Sequence, residues 1–306
     1  MQPLRAENLT GVWGAVLLPV NADDSIDFTR LGQAVDALLE SGVHGVYTNG
    51  TAAEFFTLTD AEYDRLHELV AERATAAGVP FQLGASHPSG QLSRERVRRA
   101  AALRPGAVQI VLPDWLPLRP GETVAAVRGL ADAADGVPLV LYNPPYAKTQ
   151  VGPDLLARLA GEVPELIGIK VPGIDVASGL TDRLAVFVAG HTLASGHARG
   201  AAGSYSNVAC LSPAGAVRWW NLMHTDPTAA LDLERRLRDF ITGHIVPLGA
   251  ADPALDKTLA AIGGWAPIGT RVRWPLGSVP EESVPGLRSL AEETLAELLA
   301  DPLGRS

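Results

Sequence analysis

The sequence predicts an α/β fold, a (β/α)8 TIM barrel with a C-terminal helical extension, on three observations. Short apolar runs alternate with helix-length amphipathic segments from Gly11 onward, as in a parallel sheet built from βα units. The alternation counts eight strands, and after Asn207 only helical patterns follow. The chain of 306 residues is long enough for one barrel of ~250 residues and a short appendix. A doubly wound open sheet would give the same local patterns, since strand count alone does not establish closure.

The strand candidates are Gly11–Val20, Gly45–Gly50, Phe81–Ser86, Ala107–Pro113, Pro138–Asn143, Leu166–Lys170, Ala185–Ala189 and Ala202–Asn207. Each is a short apolar run closed by turn residues. Helix patterns fall at 28–41, 59–76, 91–103, 121–134, 153–161, 176–182 and 193–199, the last two short and weakly patterned. Thr59-Asp60-Ala61-Glu62 has the spacing of a capping box, in which the threonine oxygen and the glutamate satisfy exposed N–H groups reciprocally. Ser41-Gly42, Ala77-Gly78-Val79-Pro80 and Asp135-Gly136-Val137-Pro138 end helices with glycine, twice with proline beyond. Pro213–Thr225 supplies the eighth helix. Thr228–Val246, broken by Gly243, then Pro253–Ile262 and Gly286–Leu299 make an extension too small and too poorly separated to stand alone. The expected division is therefore a barrel over residues 1–225 and a helical extension over 226–306 packed on it.

Composition narrows the function. Nearly half the residues are apolar (47%) and 19% are charged, which fits a packed globular protein and not a disordered one. A formal charge of -9 argues against a nucleic-acid partner, which demands clustered Lys and Arg. The basic run from Arg94 to Arg104 spreads around a helix, as a solvated or subunit-contacting face would. The single Cys210 sits in an apolar run and reads as a buried small hydrophobe; with no internal disulfide to form, a reducing, cytoplasmic setting is expected. No long uncharged apolar run or signal-peptide core is present, so no membrane partner is expected.

In a (β/α)8 barrel the catalytic groups project from the carboxyl ends of the strands. Those ends carry Asn49, Gly50, Thr51 and Glu54, then Ser86 and His87, Asp114 and Trp115, Tyr142 and Asn143, Lys170, Gly190 and His191, and Tyr205, Ser206 and Asn207. Lys170 stands out because it ends the buried-looking run Leu166-Ile167-Gly168-Ile169. A desolvated lysine loses its proton more readily and becomes a nucleophile able to form a Schiff base. Each residue also has a plain structural reading: Lys170 as a snorkelling strand end, Asn49-Gly50-Thr51 as a βα turn, Tyr142-Asn143-Pro144-Pro145 as a stiff loop entry. The joint occurrence of lysine, tyrosine and a hydroxyl-bearing glycine turn at one barrel mouth favours function.

Three segments resemble a known family. Thr48-Asn49-Gly50-Thr51-Ala52-Ala53-Glu54 is similar to its Gly-Thr-Thr/Ser-Gly-Glu turn, Leu141-Tyr142-Asn143-Pro144-Pro145 to its Tyr-Asn-x-Pro segment, and Ile167-Gly168-Ile169-Lys170 to its Schiff-base strand. The family is that of dihydrodipicolinate synthase and N-acetylneuraminate lyase, the pyruvate-dependent class I aldolases, and the resemblance runs from Gly11 through the C-terminal helices. It implies a lyase whose Lys170 condenses with pyruvate or another 2-oxo acid, with Tyr142 and Thr51 moving protons. It implies no cofactor beyond the covalent imine, no metal, and a homo-oligomer, tetramer or dimer. The substrate carboxylate would rest on Gly50, Thr51 and Ala52, with Asn49, Tyr205, Trp115 and Asp114 as further substrate-binding candidates.

The departures from the family pattern argue against a true dihydrodipicolinate synthase. Ala52 replaces the second hydroxyl residue of the turn. Pro113-Asp114-Trp115-Leu116 occupies the place of a partner tyrosine, so the proton relay would stop at Thr51. The arginine that the family carries shortly after the Tyr-Asn-x-Pro segment has no clear match. Lys148, His87, His191 and Asp114 are the candidate replacements. The expected activity is an aldolase or dehydratase on a 2-oxo-3-deoxy sugar acid; the alternatives are a synthase-type aldol addition and a barrel that binds a 2-oxo acid without turnover.

Overall fold

Eight parallel strands close on themselves in chain order: β1 (Gly11–Ala15), β2 (Gly45–Tyr47), β3 (Phe81–Gly84), β4 (Ala107–Ile110), β5 (Leu139–Tyr142), β6 (Leu166–Lys170), β7 (Ala185–Ala189) and β8 (Gly203–Ser206). The structure, a computed structural model, describes residues 2–299; residue 1 and the last seven residues of the expected extension, 300–306, lie outside the described residues. Closure distinguishes this architecture from the open sheet. The seam between β8 and β1 requires glycine, because a Cβ on Gly203 would lie 2.1 Å from the Gly11 carbonyl oxygen.

The strands are shorter than the apolar runs that announce them. Val16, Leu17 and Leu18, past the end of β1, are as buried as the strand itself. Apolar sequence reports burial, and the loops at the barrel mouth are buried too. Inside the barrel the side chains form a packed core and no pore. Tyr205 is its hub: it stacks on Phe187 with centroids 4.6 Å apart, meets Tyr47 edge-on at 4.7 Å, and donates a hydrogen bond to Gln82 Oε1 at 2.7 Å.

The outer helices are α1 (Phe28–Glu40), α2 (Asp60–Ala77), α3 (Gly90–Ala102), α4 (Pro120–Ala133), α5 (Pro153–Glu162), α6 (Leu193–His197), α7 (Asn207–Leu211) and α8 (Pro213–Thr225). The Thr59 capping box forms as the spacing predicts, and Gly78 ends α2 with φ 68°. Between β6 and β7 the expected helix at 176–182 is instead a single 3-10 turn, Ile174–Ala177. Gly179 adopts φ 78°, a left-handed conformation that stops propagation just where an α-helix would need its second turn. The arginine run is not uniformly solvated. Arg96 is 2% exposed, donates to the carbonyls of Ser86 and Leu58 at 3.0 and 3.1 Å, and lies over the Tyr63 ring.

Beyond α8 come α9 (Pro227–Phe240), α10 (Asp252–Gly263), α11 (Val284–Thr294) and α12 (Ala296–Leu299), with a π-helical turn at Ile241–Ile245 after α9. The helix α10 crosses the barrel mouth. It packs against α7 and the turn after β2, and is fixed there by an ion pair between Lys257 and Glu54, both fully shielded from water. Lys257 also donates to the Arg271 carbonyl at 2.6 Å, and the second Glu54 oxygen accepts the Arg273 amide at 2.8 Å. Burial pulls the Lys257 pKa down while Glu54 supports its charge. An ion pair so deeply desolvated survives because its remaining hydrogen-bonding capacity is met.

Candidate active site

Lys170 ends β6 directly opposite Tyr142, the end of β5. The strand register brings the two together although 28 residues separate them, and the Lys170 amine lies 4.5 Å from the Tyr142 ring centroid. Both line a cavity of about 300 Å³ at the carboxyl end of the barrel, together with Thr51, Ala52, Tyr146, His191, Asp252 and Asp256. Among the described residues the Lys170 amine makes no ion pair and no hydrogen bond. It is thus uncommitted and open to a ligand.

The turn after β2 begins with Asn49 at φ 56° and ends with Glu54 at φ 50°. Between them Thr51–Ala53 forms one 3-10 turn whose leading amides have no carbonyl partner within it. The Thr51 hydroxyl lies 3.3 Å from the Tyr142 hydroxyl and is also hydrogen-bonded to Tyr146, and the two phenol oxygens are 3.3 Å apart. The chain of hydroxyls therefore does not stop at Thr51. Tyr146 extends it, four residues beyond Tyr142 in a loop stiffened by Pro144 and Pro145. Burial pushes the Tyr146 phenol up, and the neighbouring Tyr142 adds to the effect.

The remaining site candidates divide between several places. Tyr205 forms the cavity floor with its hydroxyl turned into the barrel toward Gln82. Gly50 caps the turn, and Ala52 faces the cavity without a hydroxyl. Asn49 lies outside the cavity. Its amide donates to the Gly84 carbonyl at 3.1 Å and lies 3.0 Å from His67 Nε2, and Thr48 Oγ1, which accepts the Gly84 amide, is within 2.8 Å of that same nitrogen. Burial lowers the His67 pKa to about 3, so the ring is neutral. Asn49 is thus a strut behind the turn.

Asp114 and Trp115 also sit apart from the lysine. Asp114 lines a second cavity of about 190 Å³, with His87 and Phe55, on the other side of the Tyr142 and Tyr146 phenols. Its carboxylate accepts the Lys148 amide at 2.7 Å. Trp115 is 78% exposed, and the Lys148 ammonium bonds its carbonyl at 3.1 Å and lies over its ring. Lys148 lines neither cavity. His191 does face the lysine chamber; it bonds Asn207 at 2.9 Å, and burial lowers its pKa. Burial likewise lowers that of His87.

Three further residues line the cavity, Tyr146, Asp252 and Asp256, and escaped the sequence reading. For Tyr146 a signal existed, the repeat of tyrosine across a proline-fixed loop. For Asp252 and Asp256 none did, because their place on the cavity wall follows from how α10 docks and not from local pattern. They occupy one face of that helix, four residues apart. Burial raises the Asp256 carboxyl to about 7, with Lys170 opposing the rise and Asp252 adding to it. Among the described residues no group of three His, Cys, Asp or Glu side chains is placed to hold a metal ion, and no helix is long and apolar enough to cross a membrane.

Comparison with known proteins gives the family and the fold. Residues 8–294 match the Dihydrodipicolinate synthetase family. A 4-hydroxy-tetrahydrodipicolinate synthase of Stenotrophomonas maltophilia (strain R551-3) is 35% identical over 164 residues, 53% of this chain; the chain spans about half the length of such relatives, 54% in this case. A synthase of the same name from Thermomicrobium roseum is 30% identical over 97% of this chain and 99% of its own. Among solved structures, a prophage protein of the dihydrodipicolinic acid synthase family from E. coli K12, in complex with pyruvate, superposes with a TM-score of 0.83. At 19% identity over 94% of this chain and 99% of its own, it shares the fold.

Proposed function

The chain belongs to the dihydrodipicolinate synthetase family, and from that premise we propose that it is a lyase forming a Schiff base between Lys170 and pyruvate or a related 2-oxo acid. The observation that carries the reading is the uncommitted Lys170 amine inside the barrel-mouth cavity, over the Tyr142 ring. The amine adds to the keto carbon and water leaves, so that the iminium draws electrons from the adjacent bond and the protein needs no metal or organic cofactor. The carboxylate of the 2-oxo acid rests on the leading amides of the Thr51–Ala53 turn. Tyr142, Thr51 and Tyr146 pass protons to and from the imine region.

The substrate in this reading is a 2-oxo-3-deoxy sugar acid, cleaved or dehydrated, and not the anionic semialdehyde of the synthase reaction. No arginine is among the cavity-lining residues, Lys148 is engaged by Trp115, and Asp252 and Asp256 oppose a second carboxylate. Self-association belongs to the same reading. Phe56, Trp115, Leu116 and Tyr146 are exposed near one edge of the mouth, as residues that a second copy covers would be.

Mass spectrometry after incubation with pyruvate and borohydride tests the proposal. The expected result is a reduced pyruvyl adduct on the native protein and none on Lys170→Ala; an adduct that survives the substitution places the nucleophile elsewhere. Pyruvate release from a panel of 2-oxo-3-deoxy sugar acids and sialic acid then identifies the cleaved class.

A further inference from the structure

We propose that Asp256 is a catalytic base, which removes a proton from C3 of the pyruvyl iminium on Lys170 and so interconverts iminium and enamine. The proposal rests on the Schiff-base reading of the Lys170 cavity. Asp256 shares that cavity with Lys170 but comes from α10, outside the barrel strands. Among the described residues no hydrogen bond or ion pair engages its carboxylate, so its lone pairs are open to the chamber. Its position is fixed, because the adjacent Lys257 is locked to Glu54 and the Arg271 carbonyl. The Tyr142 and Tyr146 hydroxyls on the other wall are already engaged with Thr51, whereas no described residue engages the Asp256 carboxylate.

In the step, the C3–H bond breaks and its proton passes to the carboxylate. The electron pair becomes the C2=C3 bond, and the C2=N pair returns to the Lys170 nitrogen. An aldehyde carbon adds to C3 in the reverse sense. The ionisable groups facing Asp256 are Lys170 on β6, Asp252 on its own helix, Tyr47 on β2 and Cys210 on α7, with His191 elsewhere on the wall. Burial pushes the Tyr47 phenol and the Cys210 thiol well above their ordinary values, so both stay protonated at neutral pH. A carboxyl raised to about 7 is matched to proton transfer near neutrality.

Deuterium exchange into the pyruvate methyl group, followed by NMR in D2O beside borohydride trapping, tests this. Asp256→Asn is expected to keep the trapped adduct and to lose exchange by about 100-fold or more. Asp252→Asn is expected to move the midpoint of the exchange pH profile downward, because the Asp252 charge holds the Asp256 carboxyl up. Exchange within about threefold of the native rate in Asp256→Asn with the adduct intact, or a midpoint unmoved in Asp252→Asn, overturns the role of Asp256 and leaves the Schiff-base reading standing. Joint loss of adduct and exchange in Asp256→Asn also overturns it, by making Asp256 a structural support. Absence of an adduct on the native protein sinks the Schiff-base reading and this inference together.

Discussion

Lys170 and Tyr142 are register partners on neighbouring parallel strands, and the amine of one lies over the aromatic face of the other at 4.5 Å. A ring face favours a cation above it, whereas attack on a ketone needs the neutral amine. The ring face carries the amine, while the phenol hydroxyl points to Thr51 and Tyr146. On the proposed reading, holding the amine and transferring protons are separable functions of the same residue.

Tyr142→Phe separates them. The ring remains beneath Lys170 and the hydroxyl is lost, so imine formation with pyruvate is expected to persist within about tenfold while turnover falls about 100-fold or more. Rapid-quench borohydride trapping and steady-state pyruvate release measure the two steps. Equal losses in both would remove Tyr142 from proton transfer.

The three hydroxyls of Thr51, Tyr142 and Tyr146 are expected to act as one path. Thr51→Val and Tyr146→Phe should each slow turnover, and the double variant should be no slower than the worse single one, since residues acting as a unit are not additive. Fully additive losses would show that Tyr146 touches Thr51 without sharing a proton route with it.

The Lys257–Glu54 pair is expected to be costly to break from one side. Lys257→Met leaves a buried, uncompensated carboxylate beneath the site turn and should destabilise the fold by about 3–5 kcal/mol. Adding Glu54→Gln should restore part of that. Urea unfolding midpoints measure both; a single substitution costing under about 1 kcal/mol would mean that the shielded pair contributes little.

His67 gives the fold a pH dependence of definite sign. Its folded pKa of about 3 lies below the 6.5 of the free side chain, because burial opposes the charged form. The unfolded chain therefore takes up this proton first as pH falls, and stability declines from about 6.5 down to about 3, by up to about 1.4 kcal/mol per unit. Above that window the group contributes no such dependence. Melting temperatures of the native protein and His67→Gln between pH 7 and pH 4 check it: the difference between them should narrow on acidification, and parallel profiles would refute the assignment.

The barrel and the lysine at its mouth were legible because both are written locally. A strand is a short apolar run, and Lys170 interrupts one at its end. What stayed hidden depends on contacts between distant segments. Asp256 belongs to a helix whose pattern reads as ordinary amphipathic, and its exposure to the Lys170 chamber is decided by Lys257 meeting Glu54, 203 residues away. Asn49 shows the reverse error. Its place at a strand end suggested substrate contact, yet the left-handed backbone turns the side chain back toward His67 and Gly84. The missing helix between β6 and β7 was overestimated for a related reason, because the glycine at 179 outweighs a faint apolar period.

Because α10 forms one wall of the lysine chamber, a growing chain can pair all eight strands before that wall has left the ribosome. Such a nascent barrel would carry its nucleophile in an unroofed cleft. On the proposed reading, the chamber is completed only at the last stage of synthesis, when Asp252 and Asp256 arrive with α10 and Lys257 meets the carboxylate of Glu54.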